Sequence, residues 1–190
     1  MELEKILEKR RSIYNLGNKL PISEEEVITL VKNLTELVPD AFNMKSARVV
    51  ILFNKKHLLL WDTVAASFNG KIPQEKIESF KNGAGTILYF YDKNIVNSLQ
   101  EKFPLYKENF PIWANQANAM LQFTIWSGLA EKGVGANLQH YNPIIDKKVK
   151  EVFEIPENFE LIAQMPFGNV EEEAKPKEKE DIDLRVKIIR

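Results

Sequence analysis

The residues best suited to chemistry in this sequence are three adjacent cations, Lys9, Arg10 and Arg11, with Ser12 directly after them. Guanidinium groups bind phosphate through paired hydrogen bonds and stay charged at physiological pH, and a serine hydroxyl adds another hydrogen bond. The cluster therefore fits an anion site. It also fits the solvated face of a charged helix with glutamates one turn earlier, and periodicity alone leaves both interpretations open.

Other kinds of reaction centre have little support. The chain has no cysteine, which excludes disulfides, thiolate metal ligands and a cysteine nucleophile. Its two histidines, His57 and His140, are far apart in sequence, so no metal site is expected. Two Gly-x-Gly stretches, NGAGT and KGVGAN, lack the third glycine of a dinucleotide-binding loop and are interpreted as loop and cap glycines. Carboxylates lie in solvated runs, and nothing indicates a paired-carboxylate hydrolase.

Composition favours one globular domain over residues 1–190. The 26 Lys and Arg nearly balance the 27 Asp and Glu, which argues against general nucleic-acid binding. No uncharged apolar run approaches the roughly 18 residues that cross a bilayer, and the start lacks the apolar core of a signal peptide. We expect a soluble, cytoplasmic protein without membrane contact.

The spacing of apolar residues predicts the elements that must position these side chains. Ser23 and Glu26 form a capping box at the start of the clearest helix. Helices are predicted from the start to about Gly17 and over 21–40, 56–68, 73–83, 112–133 and 146–156, with a helical excursion between 93 and 111. Strands are predicted over 47–53, 86–92, 136–141 and 159–169.

Two further features concern packing and the end of the chain. The 112–133 helix is apolar over most of its circumference, which predicts a central, buried position for it, and a core position is likewise predicted for Phe110 just before it and for Trp113, Phe123 and Trp126 within it. The polar stretch 170–183 is predicted to be a loop. It leads to LRVKIIR (184–190), which is predicted to be a strand that needs a sheet edge, either in this chain or in another subunit.

The order of these motifs resembles the FMN-dependent nitroreductase superfamily. EKRRS matches its first-helix motif, and PDAFN matches the loop before its first strand. FNMKSARVVIL, LWDTVAASF, LQHYNPIID, AQMPFGN and the terminal RVKI are similar to its short nitroreductase-like branch, which includes the fatty-acid-repression proteins. The resemblance covers about residues 5 to 190. It implies an α+β nitroreductase-like fold, with a mostly antiparallel sheet flanked by helices and a C-terminal strand (within 171–190) exchanged in a homodimer.

The resemblance also implies which residues contact FMN at the subunit interface. They fall into an N-terminal segment, a loop from the second subunit, a stretch along the flavin edge that carries N5, and a C-terminal basic group. In that order they are Arg10, Arg11, Ser12 and Tyr14; Asp40, Ala41 and Asn43, with Ser46 and Arg48 as companions; Leu138, Gln139 and His140; and Lys177 and Arg185, with Lys175 and Lys179 as competitors.

The activity implied is an NAD(P)H-dependent oxidoreductase that passes hydride through flavin N5 to nitroaromatic, quinone or similar acceptors in a ping-pong cycle, without a catalytic protein nucleophile or a metal. Many nitroreductases place a glutamate near N5, whereas this chain has NLQHYN. Gln139 and His140 are therefore candidates for tuning the flavin, although His140 fits a structural role equally well. The alternative is a non-enzymatic flavin-binding redox regulator or sensor linked to fatty-acid metabolism or a stress response.

Overall fold

The structure, a computed structural model, describes residues 1–178 and 180–190. Within these residues helices flank a single sheet. The helices are α1 (Glu2–Lys9), α2 (Glu24–Leu37), α3 (Asn54–Ser67), α4 (Gln74–Lys81), α5 (Lys93–Lys102), α6 (Asn109–Glu131) and α7 (Asp146–Phe153). The strands are β1 (Leu16–Gly17), β2 (Ala47–Phe53), β3 (Gly85–Asp92), β4 (Val134–Ala136) and β5 (Phe159–Val170). Short 3-10 turns cover Ala41–Asn43, Pro104–Tyr106 and Ile182–Leu184.

The sheet is antiparallel, with strand order β1-β5-β3-β2 and with β4 also paired to β5. Strand β3 is buried along most of its length, whereas Leu52 is the only fully buried residue of β2. The predicted bounds of β2 are confirmed, but the prediction of a buried strand is wrong, because β2 pairs with β3 alone among the described strands. Its other edge is open.

The two faces of the sheet carry separate cores. Helices α2 and α6 cover one face, where Val27, Val31, Leu121 and Ile125 pack against the strands. Helices α3, α4 and α7 cover the other face, with Trp61 and Phe80 among its fully buried residues. The predicted α+β class with helices on an antiparallel sheet is confirmed.

Helix α6 is less deeply buried than its composition predicts. Phe110 is fully buried, as expected, but Phe123 is 46% exposed, and Ile112 and Met120 are similarly open. The prediction that α6 is buried all round is therefore wrong for this chain, and so is the core position of Phe123. One apolar row of the helix, with Ile112, Met120 and Phe123, is therefore largely exposed among the described residues.

The first helix ends well before Gly17. It stops at Lys9, and Arg10 already has extended backbone angles (φ −69°, ψ 109°). Ser12 forms a parallel bridge to Ala136, and the Ile13 N–H donates to the Ala136 carbonyl at 3.0 Å. The prediction of a longer helix is wrong because the backbone of this segment forms hydrogen bonds with β4 instead of continuing the helix. The charged-helix interpretation of Arg10 and Arg11 fails with it.

The start of α2 follows the sequence prediction, whereas the extent of β4 does not. The capping box of α2 is confirmed: the Glu26 N–H donates to Ser23 Oγ at 3.2 Å, and Glu26 accepts from the Ser23 N–H at 2.9 Å. The strand predicted over 136–141 is wrong in extent, because β4 ends at Ala136 and a single bridge, Gln139 to Gln164, follows it.

The predicted C-terminal strand is absent from the described chain. Residues 185–190 pair with no described strand, and their apolar side chains, Val186, Ile188 and Ile189, are exposed. A strand needs a neighbour for its backbone groups, and this segment has none among the described residues.

Candidate functional site

The cationic segment after α1 is fixed in register beside β4. Besides the bridge at Ser12, the side chain of Asn137 donates to the Ile13 carbonyl at 2.7 Å. Asn137 is fully buried, so this hydrogen bond is shielded from water. The segment therefore holds Arg10 and Arg11 at a defined position next to the end of β4.

Arg10 lies on an aromatic surface of α6. Its guanidinium carbon is 4.3 Å from the centre of the Trp126 ring and 5.8 Å from that of Phe123. Burial, and then the adjacent charge of Arg11, lower the pKa of Arg10. The guanidinium of Arg10 nevertheless keeps its positive charge, because arginine side chains are not deprotonated in proteins.

Arg11 reaches the stretch that follows β5. Its Nη2 donates to the backbone carbonyl of Lys175 at 2.6 Å. Arg11 also lines a cleft of about 280 Å³ together with Lys9, Gly133 and Glu173. The start of the chain and the region after the last strand thus meet at one place.

Among the described residues, no acidic side chain lies within ion-pair distance of Arg10 or Arg11, although Glu173 lines the same cleft as Arg11. None of the ion pairs between described residues includes Arg10 or Arg11. The Nε atom of each is buried and has no hydrogen-bond acceptor in the described part of the chain. Buried donors normally find an acceptor, so two orphaned N–H groups on adjacent cations indicate a place for an anion.

A set of neutral amides follows β4. The backbones of Gln139 and Gln164 exchange hydrogen bonds at 2.7 and 2.9 Å, and Gln139 Nε2 donates to Asn137 Oδ1 at 2.8 Å. Leu138 packs against the α2 and α6 core, whereas His140 is exposed. This stretch presents amide groups without a carboxylate.

The loop before β2 closes on itself. Asp40 accepts hydrogen bonds from the Ser46 N–H at 2.8 Å and from the Ser46 hydroxyl at 2.7 Å, and Ser46 is fully buried. Arg48 forms an ion pair with Asp92, with 3.1 Å between Nη2 and Oδ2. These side chains hold the loop, which leaves Asn43, exposed and in a left-handed conformation (φ 51°), as the polar group that it displays.

Within one chain this loop lies far from Arg10 and Arg11. The loop packs on the first half of α6, where Phe42 stacks on Trp113 with ring centres 5.6 Å apart. Arg10 contacts Trp126, thirteen positions further along. At 1.5 Å per residue that is about 20 Å of helix. Asp40, Ala41 and Asn43 therefore do not meet Arg10 within a single chain.

Among the described residues, the side chains of Tyr14, Lys177 and Arg185 form no hydrogen bond with Arg10 or Arg11. Tyr14 is 59% exposed, Lys177 is exposed, and Arg185 pairs with Glu180 at 3.0 Å. Lys179 lies outside the described residues. Within the described residues no group of three His, Asp or Glu side chains could hold a metal ion, and none of the helices is both long and apolar enough to span a bilayer.

Comparison with known proteins identifies the class. The sequence model of the nitroreductase family matches residues 7–169. The Saccharomyces cerevisiae protein HBN1 is 33% identical over 187 residues, which cover 97% of this chain and 95% of that protein. The nitroreductase CinD from Lactococcus lactis, solved with chloramphenicol, superimposes with a TM-score of 0.94 at 40% identity over 98% of this chain and 99% of its own.

The chain therefore belongs to the nitroreductase family, and its class is that of oxidoreductases. The same fold recurs in the yeast nitroreductase structure, at a TM-score of 0.80 and 30% identity over 88% of this chain and 95% of that one. The nitroreductase resemblance predicted from sequence is thus confirmed.

Sequence reasoning missed some residues of the site. Trp126 was predicted only as a core residue, and Asn137 and Gln164 were not singled out. An aromatic residue on a helix gives no sign in the sequence that a distant arginine will lie on its face. Asn137 directly precedes the predicted flavin-edge stretch, Leu138 to His140, and this position in the sequence is the one feature that could have indicated its role.

Proposed function

We propose that this protein is an FMN-dependent NAD(P)H oxidoreductase of the nitroreductase type that acts as a homodimer. Bound FMN would supply the two-electron chemistry, with hydride passing from NAD(P)H through flavin N5 to an oxidised acceptor in a ping-pong cycle. The protein's own part would be to bind the cofactor, orient it and exclude water.

The observation that carries the proposal is the pair of orphaned donors on Arg10 and Arg11. The phosphate group of FMN carries nearly two negative charges. It would accept hydrogen bonds from both Nε atoms and offset the repulsion between the guanidiniums. Ser12, fixed by its bridge to Ala136, would add a hydroxyl beside them. The residues present thus fit an FMN phosphate.

The neutral amides would serve the flavin ring. Gln139 is anchored through Asn137 to the same backbone that carries Arg10 and Arg11, so the phosphate end and the ring end would be held by one connected network. Amides donate and accept hydrogen bonds without adding charge. We expect them to tune the flavin differently from a glutamate at that position.

A dimer accounts for the separation along α6. The loop with Asn43 lies about 20 Å of helix from Arg10 in its own chain, so a site that uses both needs a second copy. The open edge of β2 and a groove of about 540 Å³ between α2, α6 and β2 offer a place for the exposed C-terminal segment of that copy. The apolar residues of segment 184–190 would then be buried.

The acceptors are proposed from relatives. The solved CinD structures contain chloramphenicol and, in another, 4-nitrophenol, which is a nitroaromatic. We propose nitroaromatics and quinones as acceptors for this chain. Use of NAD(P)H also fits a cytoplasmic location, which we propose on that ground alone.

The test is an absorbance spectrum followed by turnover. Purified protein is expected to be yellow, with about one FMN per chain, and to oxidise NADH or NADPH when a quinone or 4-nitrophenol is supplied. Colourless protein that gains no flavin spectrum on addition of FMN would contradict cofactor binding. Bound flavin without turnover would instead favour the redox regulator.

A further inference from the structure

We infer that Trp126 is a positioning residue for the cofactor phosphate, because its indole ring holds Arg10 in place while leaving the charge of Arg10 free for the ligand. This inference rests on the proposed function and assigns a role to a side chain that does not itself belong to the cationic segment.

The contact is a cation–π interaction at close range. The guanidinium carbon of Arg10 lies 4.3 Å from the Trp126 ring centre, and tryptophan is the aromatic residue that binds cations most strongly. A guanidinium over a ring face uses its flat side, so its N–H groups remain available around its edge. The Nε–H of Arg10 is buried and has no acceptor among the described residues, while the residue itself is partly exposed, so that its Nη groups are open to a ligand.

The choice of an aromatic ring has an electrostatic reason. Arg10 and Arg11 are adjacent like charges, and a carboxylate beside them would relieve their repulsion but would compete with a phosphate for the same donors. An indole ring stabilises the guanidinium without neutralising it. This arrangement keeps two full positive charges ready for an anion, as a phosphate-binding site requires.

Packing alone does not account for Trp126. Its neighbours on α6, Ile125 and Leu129, are fully buried in the main core, whereas Trp126 packs against the edge of that core, is only partly buried, and also contacts Arg10. Its Nε1–H is buried and also lacks an acceptor within residues 1–178 and 180–190. An aliphatic side chain would pack here without leaving a buried polar group unsatisfied.

The test separates phosphate binding from binding of the ring. The dissociation constants of FMN and of riboflavin, which lacks the phosphate, are measured for wild-type protein, Trp126→Met and Trp126→Phe. We expect Trp126→Met to weaken FMN binding about tenfold, as the loss of a partly buried cation–π contact implies, with riboflavin binding changed less than about twofold. Trp126→Phe, which keeps a ring, should recover most of the FMN affinity.

The matched control is Trp113→Met at the other end of α6, which should alter FMN and riboflavin binding in parallel. Equal losses for both ligands in Trp126→Met, or no loss for either, would overturn the inference. Wild-type protein that binds neither ligand would instead overturn the proposed function.

A measurement on unmodified protein covers the case in which Trp126→Met does not fold. The indole N–H resonance of Trp126 in ¹⁵N-labelled protein should shift on adding FMN and shift differently with riboflavin. The indole of Trp61, whose N–H donates to Thr86 Oγ1 at 3.0 Å, is the internal reference. Identical shifts of Trp126 with both ligands would overturn the inference.

Discussion

Arg11 is the side chain that joins the two ends of the proposed phosphate site. It follows Arg10 in the segment beside β4, and it binds the backbone of Lys175 beyond β5. Because this contact uses only Nη2, the buried Nε is left for a ligand. A single guanidinium thus orders the region after the last strand and offers a donor to an anion.

Replacing Arg11 by alanine should weaken FMN binding by roughly 1.5–3 kcal/mol, the value of a hydrogen bond to a charged group. Fluorescence titration of the apo-protein with FMN measures the change. Lys56→Ala, which removes an exposed cation from α3, is the control and should leave FMN affinity unchanged. Equal affinity in Arg11→Ala and wild type would remove this residue from the site.

His57 is a buried residue whose protonation should govern acid stability. Its Nδ1 is 2.8 Å from Thr86 Oγ1 and its Nε2 is 3.3 Å from the Lys81 carbonyl, which fits a neutral ring with the proton on Nε2. Burial lowers the pKa of His57 from 6.5 to about 4. The folded protein therefore resists protonation of this ring, whereas the unfolded chain does not.

The consequence is a loss of stability on acidification. Between pH 6.5 and about 4 the unfolded chain binds the proton more readily than the folded protein does. The free energy of unfolding should therefore fall by up to roughly 3 kcal/mol across that range, and His57 should cause no further loss at lower pH. Urea unfolding at several pH values measures this. His57→Gln should flatten that part of the profile, while His140→Gln, at an exposed position, should not. Identical profiles for His57→Gln and wild type would contradict the assignment.

At the scale of elements, Asn137 connects the end of β4 to the cationic segment. It donates to Ile13 and accepts from Gln139, and both hydrogen bonds are buried. Asn137→Ala would leave a carbonyl and an amide without partners, which should cost roughly 1–3 kcal/mol of unfolding free energy and should also weaken FMN binding. Urea unfolding and FMN titration measure the two effects.

Gln74→Ala is the matched control: it removes an exposed side-chain amide from α4, on the other face of the sheet, and should have a small effect on both quantities. A variant of Asn137 with wild-type stability and wild-type FMN affinity would show that this junction does not support the site.

The elements also show what periodicity can predict. The bounds of β2 and the capping box of α2 follow from local signals, a continuous apolar run and a serine three positions before a glutamate. The end of α1 does not, because Arg10 to Ile13 are drawn from a possible helix by hydrogen bonds to Ala136, more than a hundred residues away. Such long-range pairing is invisible in a local window.

The residues of the proposed site also divide into those that the local sequence indicates and those that depend on long-range contacts. Arg10, Arg11 and Ser12 attract attention by residue type, and the family resemblance gives them a role. Trp126 could not be assigned from sequence, because its function depends on which cation the fold lays across its ring. Residue chemistry is local, whereas the pairing of residues is a property of the fold.

At the scale of the whole molecule, the uncovered surfaces belong together. Among the described residues, one edge of β2 is unpaired, and the apolar side chains of Met120 and Phe123 on α6 and of segment 184–190 are largely exposed. A second copy that covers them would also bring its loop with Asn43 to the arginines. The proposed dimer thus explains the surface and the incomplete site by one arrangement.

The FMN content of a mixed dimer tests most directly whether two chains share each cofactor. Chains carrying Arg11→Ala and chains carrying Asn43→Asp, which keeps the left-handed backbone but replaces the amide by a carboxylate, are given different affinity tags, mixed and purified as heterodimers. If each site combines the arginines of one chain with the loop of the other, one site is unaltered and the heterodimer should bind one FMN with wild-type affinity, while neither variant homodimer should. A heterodimer without any wild-type site would contradict a cofactor shared between two chains.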